Sequence, residues 1–207
     1  MSKALPSKQW GILSKCRAQI LEDASQLSSH INGRLVYGLK LVEEKQLLNG
    51  DGTGGNLKGI LTQATSFVDK TGLAKYTILD QLRLAMLQAV LSEYPATGHV
   101  LNPIDWTKIE LTKDDNGRHI IGNPQGTINP TLWGLPVVTT QSMGIGKFLT
   151  GAFDLGAQIF DRQQSAVEVG FEGEDFTRML LTIRATERLA LAVYRPEAFI
   201  YGDLAAK

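Results

Sequence analysis

The sequence predicts an α+β fold, and three observations carry that prediction. Residues 24–48 show apolar side chains at helical spacing, from Leu27 through Ile31, Leu35 and Leu39 to Val42. The chain turns to β-forming runs from Leu135 onward. The longest such run, Arg178 to Tyr194, alternates in period two: Ile183, Ala185, Leu189, Leu191 and Val193 take one side, and Thr182, Arg184, Thr186 and Arg188 the other.

Residues 10–22 are open between two readings. Trp10, Leu13, Cys16 and Ile20 can share a helical face, and a short strand fits as well. Asp23 or Ser25 can cap the long helix that follows, which stops at Asn49-Gly50. At 1.5 Å per residue it is a rod of roughly 36 Å. Gly33 and Gly38 lie inside it, each costing on the order of 1 kcal/mol against Ala, so a bend or the close approach of a neighbour is expected. Residues 49–59 form a glycine-rich loop. A second helix starts after Thr77, with Asp80 answering at the third position of a capping box and Ile78, Leu82, Ala85, Met86 and Ala89 marking the buried face. Asn102-Pro103 has the form of an N-cap followed by proline at the first helical position, and opens a short helix to about Glu110. Asp115-Asn116-Gly117 is a turn signal. Strands are predicted at Leu135–Thr140, Lys147–Phe153 and Ala157–Asp161, ahead of the long run.

Composition narrows the class. The chain has 207 residues, 43% apolar and 20% charged, enough to bury a substantial core. Twenty-one basic residues balance 21 acidic ones, so the whole chain has no electrostatic footprint for nucleic acid and little self-repulsion. One cysteine, Cys16, excludes an intrachain disulfide. No apolar run suits a signal peptide or a bilayer span, and a soluble protein is expected.

Motifs that resemble catalytic signatures lack the context their chemistry needs. Gly50-Asp51-Gly52-Thr53-Gly54-Gly55 spells a dinucleotide fingerprint, but a helix leads in where a strand is required. Gly144-Ile145-Gly146-Lys147 is like the end of a phosphate loop, yet Phe148 stands where a hydroxyl must hold magnesium, so a turn before a strand is expected. His30, His99 and His119 show no ligand spacing and are assigned to surface or turn positions. Asp114 and Asp115 are read as turn formers, Cys16 as a packed thiol, and Met143 and Met179 as core or gap-filling residues. Glu187 interrupts the apolar side of the last long strand and calls for a cross-strand base or another subunit. No catalytic, metal or cofactor constellation emerges, and no cofactor is expected.

Five ordered blocks carry a resemblance. They are residues 27–54, with Ile31-Asn32-Gly33-Arg34-Leu35-Val36-Tyr37-Gly38 and Leu47-Leu48-Asn49-Gly50-Asp51-Gly52-Thr53-Gly54; residues 100–106; residues 116–125; Trp133-Gly134-Leu135-Pro136-Val137-Val138; and residues 176–196, with Glu187-Arg188-Leu189-Ala190-Leu191. In this order the chain resembles the tailed-phage major capsid proteins of the Hong Kong ninety-seven type fold.

The resemblance implies two lobes. A peripheral lobe would take residues 1–66 and 165–193, with a spine helix at 24–48 and a β-sheet. A mixed α/β axial lobe would take residues 67–164 and 194–207. It implies assembly contacts at Asn116, Gly117 and Arg118, in a loop aimed at a capsomer axis, and at Phe171, Glu172, Glu174 and Asp175, in a loop meeting neighbours at three-fold positions. Glu187 and Arg188 join these candidates. The N-terminal arm and projecting E-loop of typical members are expected to be missing. Crosslinking members join Lys to Asn with the help of a Glu; here Met179 stands at the Asn position and Thr186 at the Glu position. The implied function is that of a non-enzymatic, non-crosslinking capsid subunit. It would work by packing against copies of itself or related subunits, in the host cytoplasm and then the virion, without a membrane or a specific nucleic-acid sequence. The alternative is a capsid-like protein that enters a full-length relative's shell and perturbs it.

Overall fold

The computed structural model describes residues 7–17, 25–73, 75–114, 116–121 and 130–205, without the side chains of residues 16, 17 and 25–28. The chain divides into two compact units, Met1–Lys58 with Ile159–Ala192, and Gly59–Gln158 with Val193–Lys207.

In the first unit, strand β1 (Lys8–Arg17) is hydrogen-bonded to β8 (Leu180–Val193), and β7 (Ala157–Gly170) lies on the other side of β8. The β1–β8 pairing is antiparallel, from Lys8 opposite Leu189 to Arg17 opposite Leu180. This resolves the ambiguity at residues 10–22 as strand for the part described. Trp10 and Ile12 join the core, and Leu13 turns outward and is 56% exposed. Period two overrides the helical spacing because β8 offers a partner whose apolar side matches β1.

Helix α1 (Ser25–Asn49) covers one sheet face. Leu35 and Leu39 pack with Ile183 and Ala185, and Ile12, Ile31 and Val167 flank them. Burial of Leu35, Leu39 and Ile183 contributes about 1.5–3 kcal/mol each. Gly38 marks a close approach: a Cβ there would lie 3.1 Å from Ile12 Cδ1, whereas Gly33 faces open space. Asp23, an expected cap, lies outside the described residues. The helix ends as expected at Gly50, where a Cβ would stand 2.3 Å from the Leu57 carbonyl oxygen and 2.6 Å from that of Gln46.

The second unit is built on a six-stranded mixed sheet. Its strands are β2 (Thr65–Ser66), β3 (Gly98–Leu101), β4 (Thr131–Leu132), β5 (Leu135–Thr139), β6 (Lys147–Gly151) and β9 (Phe199–Asp203), in the order β2-β9-β6-β3-β5-β4. The β2–β9 and β3–β5 pairs are parallel; β3–β6, β4–β5 and β6–β9 are antiparallel. Helices α2 (Ile78–Leu91) and α3 (Pro103–Glu110) contribute Leu82, Ala85, Ala89, Trp106 and Ile109 to a core shared with Leu101, Val137, Phe148 and Ile200. Both helix starts follow the sequence reading. Thr77 and Asp80 form a reciprocal capping box, and the Asn102 side chain accepts from the Ile104 N–H ahead of Pro103. A one-turn helix, α4 (Phe153–Gly156), leads into β7.

Three expectations are corrected here. His99 is fully buried in β3, not at the surface, because its neighbours on both sides are strands of the same sheet. Met179 is 70% exposed, not a core filler, and has a positive φ of 53° just before β8. The β7 strand runs nine residues beyond the predicted Asp161, because pairing with β8 extends it where local sequence gave no apolar alternation.

Candidate assembly surface

The loop of residues 171–179 is organised around one carboxylate. Asp175 is buried, and its Oδ2 accepts from the Thr182 hydroxyl and, at 3.0 Å, from the Glu172 N–H. Its Oδ1 receives the Lys15 ammonium at 3.1 Å. The Thr182 hydroxyl, the Lys15 ammonium and the Glu172 amide hold the Asp175 carboxyl below the ordinary range. Two strands and the loop therefore converge on an interior anion, which orders a segment without regular structure.

What the ordered loop displays is apolar. Phe171 and Phe176 stack edge to face with centroids 5.7 Å apart, and Phe176 is 76% exposed. Leu13, Val169 and Phe171 line a shallow depression of about 420 Å³ beside Arg184 and Glu168, which pair at 2.6 Å. Within the same loop Glu174 pairs with Arg178 at 2.6 Å. Exposed apolar side chains beside ion pairs are a feature found in many protein-binding surfaces.

Of the candidate contacts, Phe171, Glu172, Glu174 and Asp175 are brought together, with Asp175 as the buried anchor and the other three exposed. Sequence reasoning missed Lys15, Thr182, Leu13 and Met179. Lys15 and Thr182 carry no local signal, since only the β1–β8 register brings them to the loop. Glu187 and Arg188 lie on opposite faces of β8. Arg188 donates to the Ser7 hydroxyl at 2.9 Å. Of the two expected partners for Glu187, a cross-strand base or another subunit, the first is not opposite it: the ladder places Trp10 there, and Glu187 Oε2 has no hydrogen-bond partner among the described residues.

Asn116, Gly117 and Arg118 belong to the second unit. There the Asp114 carboxylate accepts from the Asn116 N–H at 3.0 Å and the Arg118 N–H at 2.8 Å, and Gly117 has a φ of 77°. All three residues are exposed. Asp114 is thus a turn former, as expected; Asp115 lies outside the described residues.

The glycine-rich loop after α1 is closed by its own acid. Asp51 accepts from the Thr53 hydroxyl and amide and from the Asn56 side chain, which takes its carboxyl down to about 2. An ionised carboxylate occupies the donors that a phosphate would require. Gly146, with a φ of 73°, turns the chain into β6 and donates its N–H to Asp105, so the second glycine motif is a turn before a strand. Among the described residues, no group of three His, Cys, Asp or Glu is arranged to hold a metal ion, and no helix is long and apolar enough to cross a membrane.

The profile of the phage capsid family matches residues 2–204. The chain belongs to the phage capsid family. It is 47% identical over 189 residues to the major capsid protein of Enterobacteria phage HK97, a match that covers 91% of this chain and 49% of the relative. The chain thus spans about half the length of that relative. Solved structures share the fold at low identity. The capsid of an empty GTA particle superposes with a TM-score of 0.76 at 19% identity, covering 98% of this chain and 74% of the other. A structure from Gordonia phage Cozz gives 0.75 at 15% identity, covering 99% and 72%. The virus-like particle of Pyrococcus furiosus gives 0.62 at 16% identity, covering 97% and 78%. The α+β class and the capsid fold read from the five sequence blocks are thereby established.

Proposed function

We propose that this phage capsid family chain is a structural subunit of a virion shell. It acts by packing against copies of itself or related capsid subunits, without catalysis or covalent crosslinking. The observation that carries this is the display of Leu13, Phe171, Phe176 and Met179 around the Asp175 anchor in a chain of this family. Large apolar side chains held out on an ordered frame contribute to association when a partner removes them from water. Symmetry then repeats a modest contact many times. In this reading the unit containing α1 is the peripheral lobe and the other unit the axial lobe, with Asn116–Arg118 near the capsomer centre.

The absence of crosslinking follows from side-chain chemistry. The position where crosslinking members carry Asn holds the thioether of Met179, which has no amide carbonyl to attack, and the Glu position holds the buried Thr186.

Sedimentation and light scattering over a concentration series test the packing, with co-expression of a full-length relative as a second arm. Concentration-dependent oligomers, or incorporation into the relative's shells, are the expected results. A strict monomer that leaves shell yield and composition unchanged overturns the reading.

A further inference from the structure

Glu187 is in an environment that the assembly surface does not explain. It shares a side of β8 with Ile183, Ala185 and Leu189, the side that packs on α1. It is only 8% exposed, and its Oε2 has no hydrogen-bond donor among the described residues. Directly across the ladder is Trp10, whose indole N–H is likewise buried and without an acceptor. A buried carboxylate oxygen without a donor loses its hydration with nothing in return, at a cost of several kcal/mol when ionised.

Two further carboxylates add negative charge to its surroundings. Glu43 lies one helical turn after Leu39, on the stripe of α1 that begins at Leu35. Asp161 on β7 has the same parity as Val167, which packs toward α1, and is itself exposed. The cations do not balance them. Lys40 on α1 is the one positive group coupled to the cluster among the described residues. Lys8 of β1 has the parity of Trp10, but its ammonium donates to the Gly54 carbonyl. Arg184 and Arg188 of β8 take the opposite face, where they bond Glu168 and Ser7.

We propose that Glu187, Glu43 and Asp161 form a proton-operated latch between α1 and the three-stranded sheet, closed when the cluster holds a proton and loosened when it is fully ionised. A proton on Glu187 takes its charge out of the repulsion and lowers the cost of holding its side chain away from water. The titration has the matching direction. Burial, then the charges of Glu43 and Asp161, raise Glu187 above the ordinary carboxylate range against the opposing effect of Lys40. Glu43 is raised by burial and then by Asp161. A carboxyl whose folded value lies above its unfolded value contributes stability that is complete below about 4.5 and is lost as pH rises through the folded value.

The test compares thermal unfolding and amide exchange of α1 between pH 4.5 and 8, for the unmodified chain, Glu187→Gln, Glu187→Leu and the pair Glu43→Gln with Asp161→Asn. Both Glu187 variants should raise the midpoint and slow α1 exchange at pH 7–8, with the gain shrinking toward pH 4.5. The paired variant should move the residual pH dependence toward the ordinary carboxylate range. An exposed control, Glu93→Gln, should reproduce the unmodified profile. Profiles of both Glu187 variants parallel to the unmodified chain, or midpoints lower at every pH, overturn the latch.

Discussion

Lys15 and Asp175 meet at 3.1 Å although 160 positions separate them in sequence. The contact ties the first strand of its unit to the loop that enters the central strand. Replacing Asp175 by Asn keeps the shape and removes the charge. The expected result is a melting midpoint several degrees lower at neutral pH and faster proteolysis within residues 171–179. The unmodified chain should also lose stability as pH falls below the ordinary aspartate value near 3.8, because this carboxyl is held below it. Melts between pH 2 and 6 should show that part of the acid sensitivity removed in Asp175→Asn.

Phe176 and Met179 are exposed and carry little of the fold. Changing both to Ser should alter unfolding free energy by no more than about 0.5 kcal/mol. The same change should weaken self-association or entry into a relative's shell, read by sedimentation velocity. A large loss of stability with unchanged association would place these residues in the core of the fold instead.

A glycine inside α1 and the glycine that follows its last residue should respond in opposite directions. Gly33→Ala meets nothing within 4 Å and should stabilise by about 0.5–1 kcal/mol. Gly50→Ala drives a methyl against two backbone carbonyls and should destabilise by roughly 3 kcal/mol or more. Urea unfolding of the two variants checks both signs.

His99 is neutral in its buried site, where desolvation lowers its value from 6.5 to about 4 while Nδ1 stays 2.8 Å from the Thr150 hydroxyl. The folded value lies below the unfolded one. The second unit therefore keeps full stability above pH 6.5 and loses roughly 3 kcal/mol as pH falls to about 4. His99→Asn should flatten that decline in pH-dependent unfolding, at the cost of some stability near neutrality.

The parts of the fold legible in the sequence are those written in local chemistry. Thr77 with Asp80, Asn102 with Pro103, and Asn49-Gly50 each mark a helix end where the structure has one. The alternation in β8 shows which side meets α1. Residues governed by pairing were not legible. The choice of Ile12 over Leu13 as the inward residue depends on β8, and the burial of His99 depends on β5 and β6. The assembly candidates came from resemblance. Only the structure separates the buried anchor, Asp175, from the displayed side chains around it, because burial of one acid among Glu172, Glu174 and Asp175 has no signature in their spacing.

Strand β9 lies inside its sheet, between β2 and β6, and β8 lies between β1 and β7. The pairings that complete both sheets span long stretches of sequence, with Lys8 of β1 meeting Leu189 of β8 and Thr65 of β2 meeting Ile200 of β9. Contacts of such separation form slowly, so the closing of each sheet is expected to be a late event in folding.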